Sequence, residues 1–383
     1  MVSTPKLHSL SVLIPDDEAW ATVKVLRCLD RMPTVKAHVL SRTNSPLARF
    51  SRHCSGCHYH TSQNDEDWIG VIGNLCRRLQ IDVVLPVTDR GVEFMVRNRQ
   101  AISDFAAIPA LPEPQILNIV QNKWLFHQFA RQQGLPAVPS VLVGDAQRTI
   151  LDCPDLNSIE YPALLKPASQ AGGYGIVKIK DPSDFCRVWK DKRIIKFSDQ
   201  YILQSYIPGV DLCLMVFCKG GKILAYTLQK SLFSSDNYFG PQRAMEFVDD
   251  EETVDIGRRL ASAMRWDGIG CIDMRMDARD KTERLLEVNP RFGQAILGSL
   301  LANVNFPLIA CLDAVGLGCP EIHYQTVRYF HPAAHTKILI SKLTGKPTPT
   351  KVRWKESGLQ FTRSDPLPEM VDFMRRTVGR LRR

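Results

Sequence analysis

The chain lacks any run of about 18 apolar residues, so no helix of it is expected to span a membrane. The opening stretch KLHSLSVLIP has an apolar core too short for a signal peptide, and acidic Asp16 and Asp17 follow it at once. A cytoplasmic location is the expectation. Cysteine is present but unorganised: eleven residues, an odd number without framework spacing, which excludes a disulfide scaffold and points to free thiols. No G-x-G-x-x-G follows the first apolar segment, so a dinucleotide fingerprint is missing there. No G-K-[ST] closes the glycines at 172–175, which excludes a Walker A loop. Internal repeats and low-complexity segments are also missing.

What is present is an ordinary globular composition over 383 residues, 44% hydrophobic and 23% charged, enough chain for two or three domains. The net charge of +9 is concentrated: residues 337–383 hold 12 Lys/Arg against 4 Asp/Glu, or +8, while the other 336 residues hold 37 against 36, or +1. Such a tail suits nucleic acid, an acidic membrane surface or an acidic partner, or is a solvated face. No nucleic-acid motif accompanies it, and the solvated face is the preferred reading. Cys54, Cys57 and His58 in RHCSGCHYH spell C-x-x-C-H, the spacing of c-type haem attachment, which needs export. Zinc would have to recruit His53 or His60, and an incidental cluster is the preferred reading.

Residues 9–143 alternate short apolar runs with helical periodicity: SLSVLI, EAWATVKVLRCLDRM, KAHVL, DWIGVIGNLCRRLQ, DVVLPV, GVEFMVRNRQAISDF and AAIPAL. This order predicts a doubly wound α/β unit on a parallel sheet. ILNIVQNKWLFHQFARQQG reads as a single helix ending at Gly134, with Pro136 and Pro139 beyond it. YPALLKPASQAGGYGIVKIKD then reads as strand, glycine loop, strand. Its apolar run ends on Lys166, and Gly172, Gly173 and Gly175 allow backbone N–H groups to approach phosphate oxygens. A turn at Pro208–Gly209 and a hairpin at Gly220–Gly221 follow, then a helix with an acidic start in EETVDIGRRLASAMRW and a late hairpin, GIGCIDMRMDARDKTERLLEVNPRF. FPLIACLDAVGL is the last helix of the core.

In the late hairpin, a turn near 279–282 sets Asp273 and Glu287 on paired strands, and period two puts Asn289 and Arg291 in the same row. Two carboxylates and an amide oxygen suit Mg²⁺, and the arginine can clamp a phosphoryl group. A buried ion pair would account for Glu287 and Arg291 alone, but not for Asp273 and Asn289 beside them.

LLKPASQAGGYGI, YILQSYIPGVD and LLEVNPRF, in this order and spacing, resemble the ATP-grasp superfamily from about residue 9 to 318. The resemblance implies a nucleotide-fold-like domain (1–120), a small lobe with its preceding helix (121–206), a large lobe with the metal site (207–325) and a basic extension (326–383). It implies ATP and Mg²⁺ (or Mn²⁺) as cofactors. Lys123 and Lys166 would meet the α- and β-phosphates, with Lys166 and Arg291 serving the transfer, and Gly172, Gly173 and Gly175 would cover the triphosphate. Gln204, Ser205, Tyr206 and Ile207 would line the adenine, with Gln204 where a glutamate is common. Asp211 would meet the ribose hydroxyls, one methylene shorter than the usual glutamate. Asp273, Glu287 and Asn289 would hold the metal, and Arg291 would steady the transferred phosphate. The implied reaction joins a small-molecule carboxylate to an amine through an acyl phosphate, releasing ADP and phosphate, with a homodimer as the usual assembly. Bicarbonate activation and a non-catalytic nucleotide-binding regulator are the alternatives; neither a membrane nor a nucleic acid is expected as partner. Lys230 and Arg243, flanking SLFSSDNYFGPQR, are the candidates for a substrate carboxylate.

Overall fold

The structure, a computed structural model, describes residues 9–16, 19–62, 64–144, 156–170, 172–191, 197–198, 200–232, 242–335, 338 and 352–381. No helix among them is long and apolar enough to cross a membrane.

Four short strands form a parallel sheet in the order β3-β2-β1-β4: β1 (Leu10–Ile14), β2 (Val35–Ser41), β3 (Gly56–Tyr59) and β4 (Val83–Val84). Both faces of β1 are buried. Leu13 packs with helices α2 (Asp65–Leu79) and α3 (Asp89–Arg97), while Val12 and Ile14 pack with Val25 and Leu26 of α1 (Ala19–Leu29). Helices cover both faces, as a doubly wound unit requires. Two expectations change here. AAIPAL makes only a bridge between Ala107 and Val83, because Pro109 has no N–H to extend a ladder. The segment containing Cys57 and His58 is the edge strand β3. The helix expected in 91–105 is broken at Asn98, after which α4 (Arg99–Ser103) begins.

The helix expected to run to Gly134 is also two, α5 (Pro114–Gln121) and α6 (Lys123–Gln132). Asn122 has extended backbone, φ −121° and ψ 113°, and its side chain caps α6. A short polar side chain at an N-cap competes with helix continuation and here wins.

A second sheet is antiparallel, in the order β5-β8-β6-β7: β5 (Ser140–Gly144), β6 (Ala163–Pro167), β7 (Val177–Ile179) and β8 (Tyr201–Ser205). Helix α7 (Pro182–Trp189) covers it, burying Phe185, Val188 and Trp189 against Tyr201 and Leu203.

The largest sheet has six antiparallel strands in the order β13-β12-β9-β10-β11-β14. They are β9 (Gly209–Lys219), β10 (Lys222–Ser231), β11 (Ala244–Val248), β12 (Gly268–Asp277), β13 (Glu283–Asn289) and β14 (Val327–Phe330). Alternation sorts its residues: Leu212, Leu214 and Val216 pack on one side under α8 (Glu251–Met264), Met215 and Phe217 on the other. That second side packs against α9 (Ile296–Leu301) and α10 (Phe306–Ala314). Strand β14 comes from beyond residue 325, so the basic extension contributes to this sheet. The extension also carries α11 (Leu359–Ser364) and α12 (Leu367–Leu381), which return to α1. There Arg27, 3% exposed, meets Asp365 at 3.1 Å and Glu369 at 2.8 Å.

Candidate active site

A cleft of about 260 Å³ separates the β5-β8-β6-β7 sheet from the largest sheet. One wall is the β12–β13 hairpin. Asp273 pairs directly with Glu287 and Cys271 with Asn289, so the three polar side chains share the face expected from their spacing. The Asn289 amide nitrogen lies 2.9 Å from Asp273 Oδ2 and 3.4 Å from Glu287 Oε1. The electropositive group between the two carboxylates is therefore an amide, where a cation would be stronger. Burial, with the Glu287 charge beside it, pushes Asp273 up to about 7. Burial acts the same way on Glu287, but the Lys123 and Lys166 ammoniums outweigh it and hold that carboxyl below its ordinary range. A pair of buried carboxylates, one driven toward protonation by burial and then by the charge of the other, fits a hard divalent cation.

The facing wall supplies the lysines. Capping by Asn122, whose Oδ1 accepts from the N–H groups of Trp124 and Leu125 at 2.9 and 3.2 Å, makes Lys123 the first residue of α6. Its ammonium donates to the Gln170 carbonyl and stands 3.1 Å from Glu287 Oε2. Lys166, on β6, is 8% exposed and donates to Gln204 Oε1 at 2.6 Å. Gln204 Nε2 in turn donates to Ser140 Oγ at 2.9 Å. A neutral amide at 204 cannot compensate the ammonium, and burial lowers Lys166 to about 8 although Glu287 opposes the shift. Above both lysines, Gly172, Gly173 and Gly175 have φ of 72°, 78° and 73°, and Gly172 and Gly173 line the cleft. At Gly175 a Cβ would lie 2.9 Å from Pro167 and 2.7 Å from Phe197, so this loop tolerates no side chain there.

Gln204, Ser205, Tyr206 and Ile207 all line the cleft. Part of their main chain is already engaged. The N–H groups of Ser205 and Tyr206 donate to the carbonyls of Pro139 and Pro162, both at 3.0 Å. The Ile207 carbonyl accepts from Arg275 Nε at 2.5 Å. Asp211 also lines the cleft, ion-paired with Arg275 and accepting from Gln242 Nε2 at 2.7 Å.

Arg291 reaches the cleft from the end of β13, and its Nε donates to Asp89 Oδ2 at 2.8 Å. Burial works against its charge, but the Asp89 carboxylate overrides this and raises its pKa.

Lys230 and Arg243 are not brought to the cleft among the described residues. On β10, Gln229 pairs with Cys213 of the site face, so Lys230, paired with Leu212, belongs to the opposite face. Arg243 is exposed, while its neighbour Gln242 lines the cleft. The intervening segment 233–241 lies outside the described residues. The sequence reading missed Asp89, Arg275 and Gln242. Arg275 had a signal, since it alternates with Asp273 on one strand; Asp89 had none, lying 202 positions from Arg291.

Three comparisons bear on this geometry. The family model described as "ATP-grasp in the biosynthetic pathway with Ter operon" matches residues 197–335. A D-alanine–D-alanine ligase of Pseudomonas entomophila is 21% identical over 179 residues, covering 45% of this chain and 54% of that protein. The chain thus spans about half the length of this curated relative. The structure of N5-carboxyaminoimidazole synthetase from Staphylococcus aureus complexed with ADP superposes with a TM-score of 0.67 at 14% identity, covering 89% of this chain and 87% of that one. The L-amino acid ligase from Bacillus licheniformis gives 0.62 at 15% identity, covering 84% and 80%. At such identities the solved structures establish the fold, which is that of ATP-grasp enzymes, and the family match over residues 197–335 and the order of the motifs agree with it.

Proposed function

We propose that the chain is an ATP-dependent ligase that joins a small carboxylate to an amine, releasing ADP and phosphate. The observation that carries this reading is the meeting of Asp273, Glu287 and Asn289 with Lys123 and Lys166 across one cleft. In this reading Asp273, Glu287 and Asn289 hold Mg²⁺, which neutralises the phosphates when bound. Lys123 and Lys166 bind the α- and β-phosphates, and Gly172–Gly175 folds over them with its backbone N–H groups. Gln204, Ser205, Tyr206 and Ile207 line the base, and Asp211 takes the ribose once a nucleotide displaces its present partners. Arg291, held by Asp89, lies where a transferred phosphoryl group would pass. The substrate carboxylate oxygen attacks the γ-phosphorus as the bond to the β-phosphate oxygen breaks, giving an acyl phosphate and ADP. The amine then attacks the acyl carbon, phosphate leaves, and the amine proton passes to water or phosphate.

The division of the chain belongs to the same proposal. Residues 1–120 wall the substrate end, 121–206 form the small lobe and 207–325 the large lobe. Residues 326–383 form an extension that lends the large lobe one strand. A cytoplasmic enzyme, working as a homodimer, is part of this reading too.

ADP release measured across pairs of amino acids and small carboxylates, with mass spectrometry of products, tests the proposal. ADP with an amide product supports it, and Glu287→Gln is expected to abolish both. AMP with pyrophosphate would sink it. The solved-structure neighbours include a carboxyaminoimidazole synthetase and biotin carboxylases, so bicarbonate is the second carboxylate to assay.

A further inference from the structure

Helix α12 lies on the protein the wrong way round. A surface helix ordinarily buries its apolar stripe and leaves its charges in water. Here the acidic side faces inward: Glu369 bonds Arg27 at 2.8 Å and Asp372 accepts from Trp20 Nε1 at 3.2 Å. Leu367, Met370, Phe373, Met374 and Val378 face solvent instead, 48–71% exposed. Leu367, Met370, Met374 and Val378 are spaced three or four apart, one continuous ridge on the side away from the body.

Charge says what covers this ridge. From Phe373 onward the sequence carries Arg375, Arg376, Arg380, Arg382 and Arg383 and no acid. Arg375 is anchored by donating to Ser45 at 2.8 Å, which fixes the helix against the loop before Leu47. The two acids nearest in sequence are used inward or, for Asp372, shared with Arg376 at 2.8 Å. An outward apolar ridge in a stretch of sequence rich in arginine and free of acids complements an anionic, apolar-backed surface. A second copy is a poorer fit. Fifteen residues rise only about 22 Å, so two such ridges would bury a few hundred Å² each, less than the roughly 800 Å² per partner of a stable interface.

We propose that α12 is an in-plane anchor that rests the protein on an anionic membrane surface. The sequence-based expectation of no membrane partner came from the lack of a spanning run, and a helix lying in the interface needs none. This inference is independent of the ligase reading.

The test is flotation of the full chain with phosphatidylcholine vesicles, with and without about 30% phosphatidylglycerol. Binding is expected only to the anionic vesicles and is expected to weaken as salt rises from about 0.1 M to about 0.5 M. The triple variant Met370→Ser, Phe373→Ser, Met374→Ser, and separately Arg380→Glu with Arg382→Glu, is expected to lower partitioning more than about tenfold. Thermal unfolding of the serine variant should match the parent, since all three side chains are exposed. Equal binding to neutral vesicles, or binding indifferent to the serine substitutions, would overturn the proposal. So would self-association that these serines abolish without vesicle binding, or capture by polyglutamate but not by vesicles.

Discussion

Lys123 Nζ stands 3.1 Å from Glu287 Oε2, the first residue of one helix against a carboxylate from the opposite wall of the cleft. The ammonium holds the place in the charge balance that a phosphate-bound cation would take. Lys123→Met leaves Glu287 without the ammonium beside it and, in the proposed reading, removes a phosphate partner. The KM for ATP is expected to rise by about tenfold or more, read from initial rates of ADP release. Glu287→Gln is expected to lower kcat by at least about a hundredfold, since in the proposed reading it removes a carboxylate that would hold the cation neutralising the transferred phosphoryl group. A kcat unchanged by Glu287→Gln would remove this carboxylate from the chemistry.

Asn122 fixes where Lys123 sits. Asn122→Ala removes the α6 cap at a cost of about 1 kcal/mol, or a Tm lower by about 2–4 °C. It also loosens the start of the helix, so the KM for ATP is expected to rise with it. Asn122→Asp keeps the acceptor and should restore both, measured by calorimetry and by rate. Loss of stability without any change in KM would show that the cap holds the helix but not the lysine.

Two glycines with positive φ make a paired test of backbone strain. At Gly209, φ is 150° and a Cβ would lie 1.9 Å from the Met276 carbonyl oxygen, an overlap no side-chain movement relieves. At Gly134, φ is 63° and nothing lies within 4 Å. Gly209→Ala is expected to cost more than about 3 kcal/mol, Gly134→Ala about 1 kcal/mol. Urea midpoints compare the two directly, and equal shifts would contradict the contact at Met276.

Acid should weaken the fold through two histidines. Burial first, then Arg131, lowers His127 to about 4; burial first, then Lys24 and Arg243, lowers His331 likewise to about 4. Each takes up its proton in the unfolded chain near pH 6.5 but in the folded chain only near 4. Their contribution is therefore complete above about 6.5 and lost as pH falls toward 4. His127, 4% exposed, accounts for up to about 3 kcal/mol; His331 is more open and accounts for less. Denaturant midpoints measured from pH 7 to 4 should fall, and His127→Gln should flatten the fall. A midpoint constant over that range would exclude both groups as its source.

Local pattern carried much of this molecule. Period two in LLEVN and CIDM set Asp273, Glu287 and Asn289 on one face, and the structure pairs 273 with 287 directly. Strand, glycine loop and strand were legible around Lys166 for the same reason. The break at Asn122 was hidden because apolar periodicity continues across it, although an asparagine before a lysine is itself a start signal. Lys230 was misplaced by ignoring parity: its neighbours Gln229 and Ser231 line the cleft, so it belongs to the other face. The hold of Asp89 on Arg291 is tertiary and leaves no trace in spacing. The orientation of α12 was illegible for a different reason. Its apolar positions have the period of a core-facing helix, and only the inward ion pair of Glu369 with Arg27 and the hydrogen bond from Trp20 to Asp372 show that it is turned over.

The buried pairing of Arg27 with Asp365 has a consequence for the order in which the chain is made. Residue 27 emerges from the ribosome some 340 residues before its partner, on the order of half a minute at usual synthesis rates. Asn305 donates to the Cys28 carbonyl at 2.7 Å and Lys24 to the Gln294 carbonyl at 2.9 Å, so the same helix waits for those too. The first strands to be born are thus among the last to be sealed, and a nascent chain stalled before residue 365 carries an uncompensated guanidinium under its first helix.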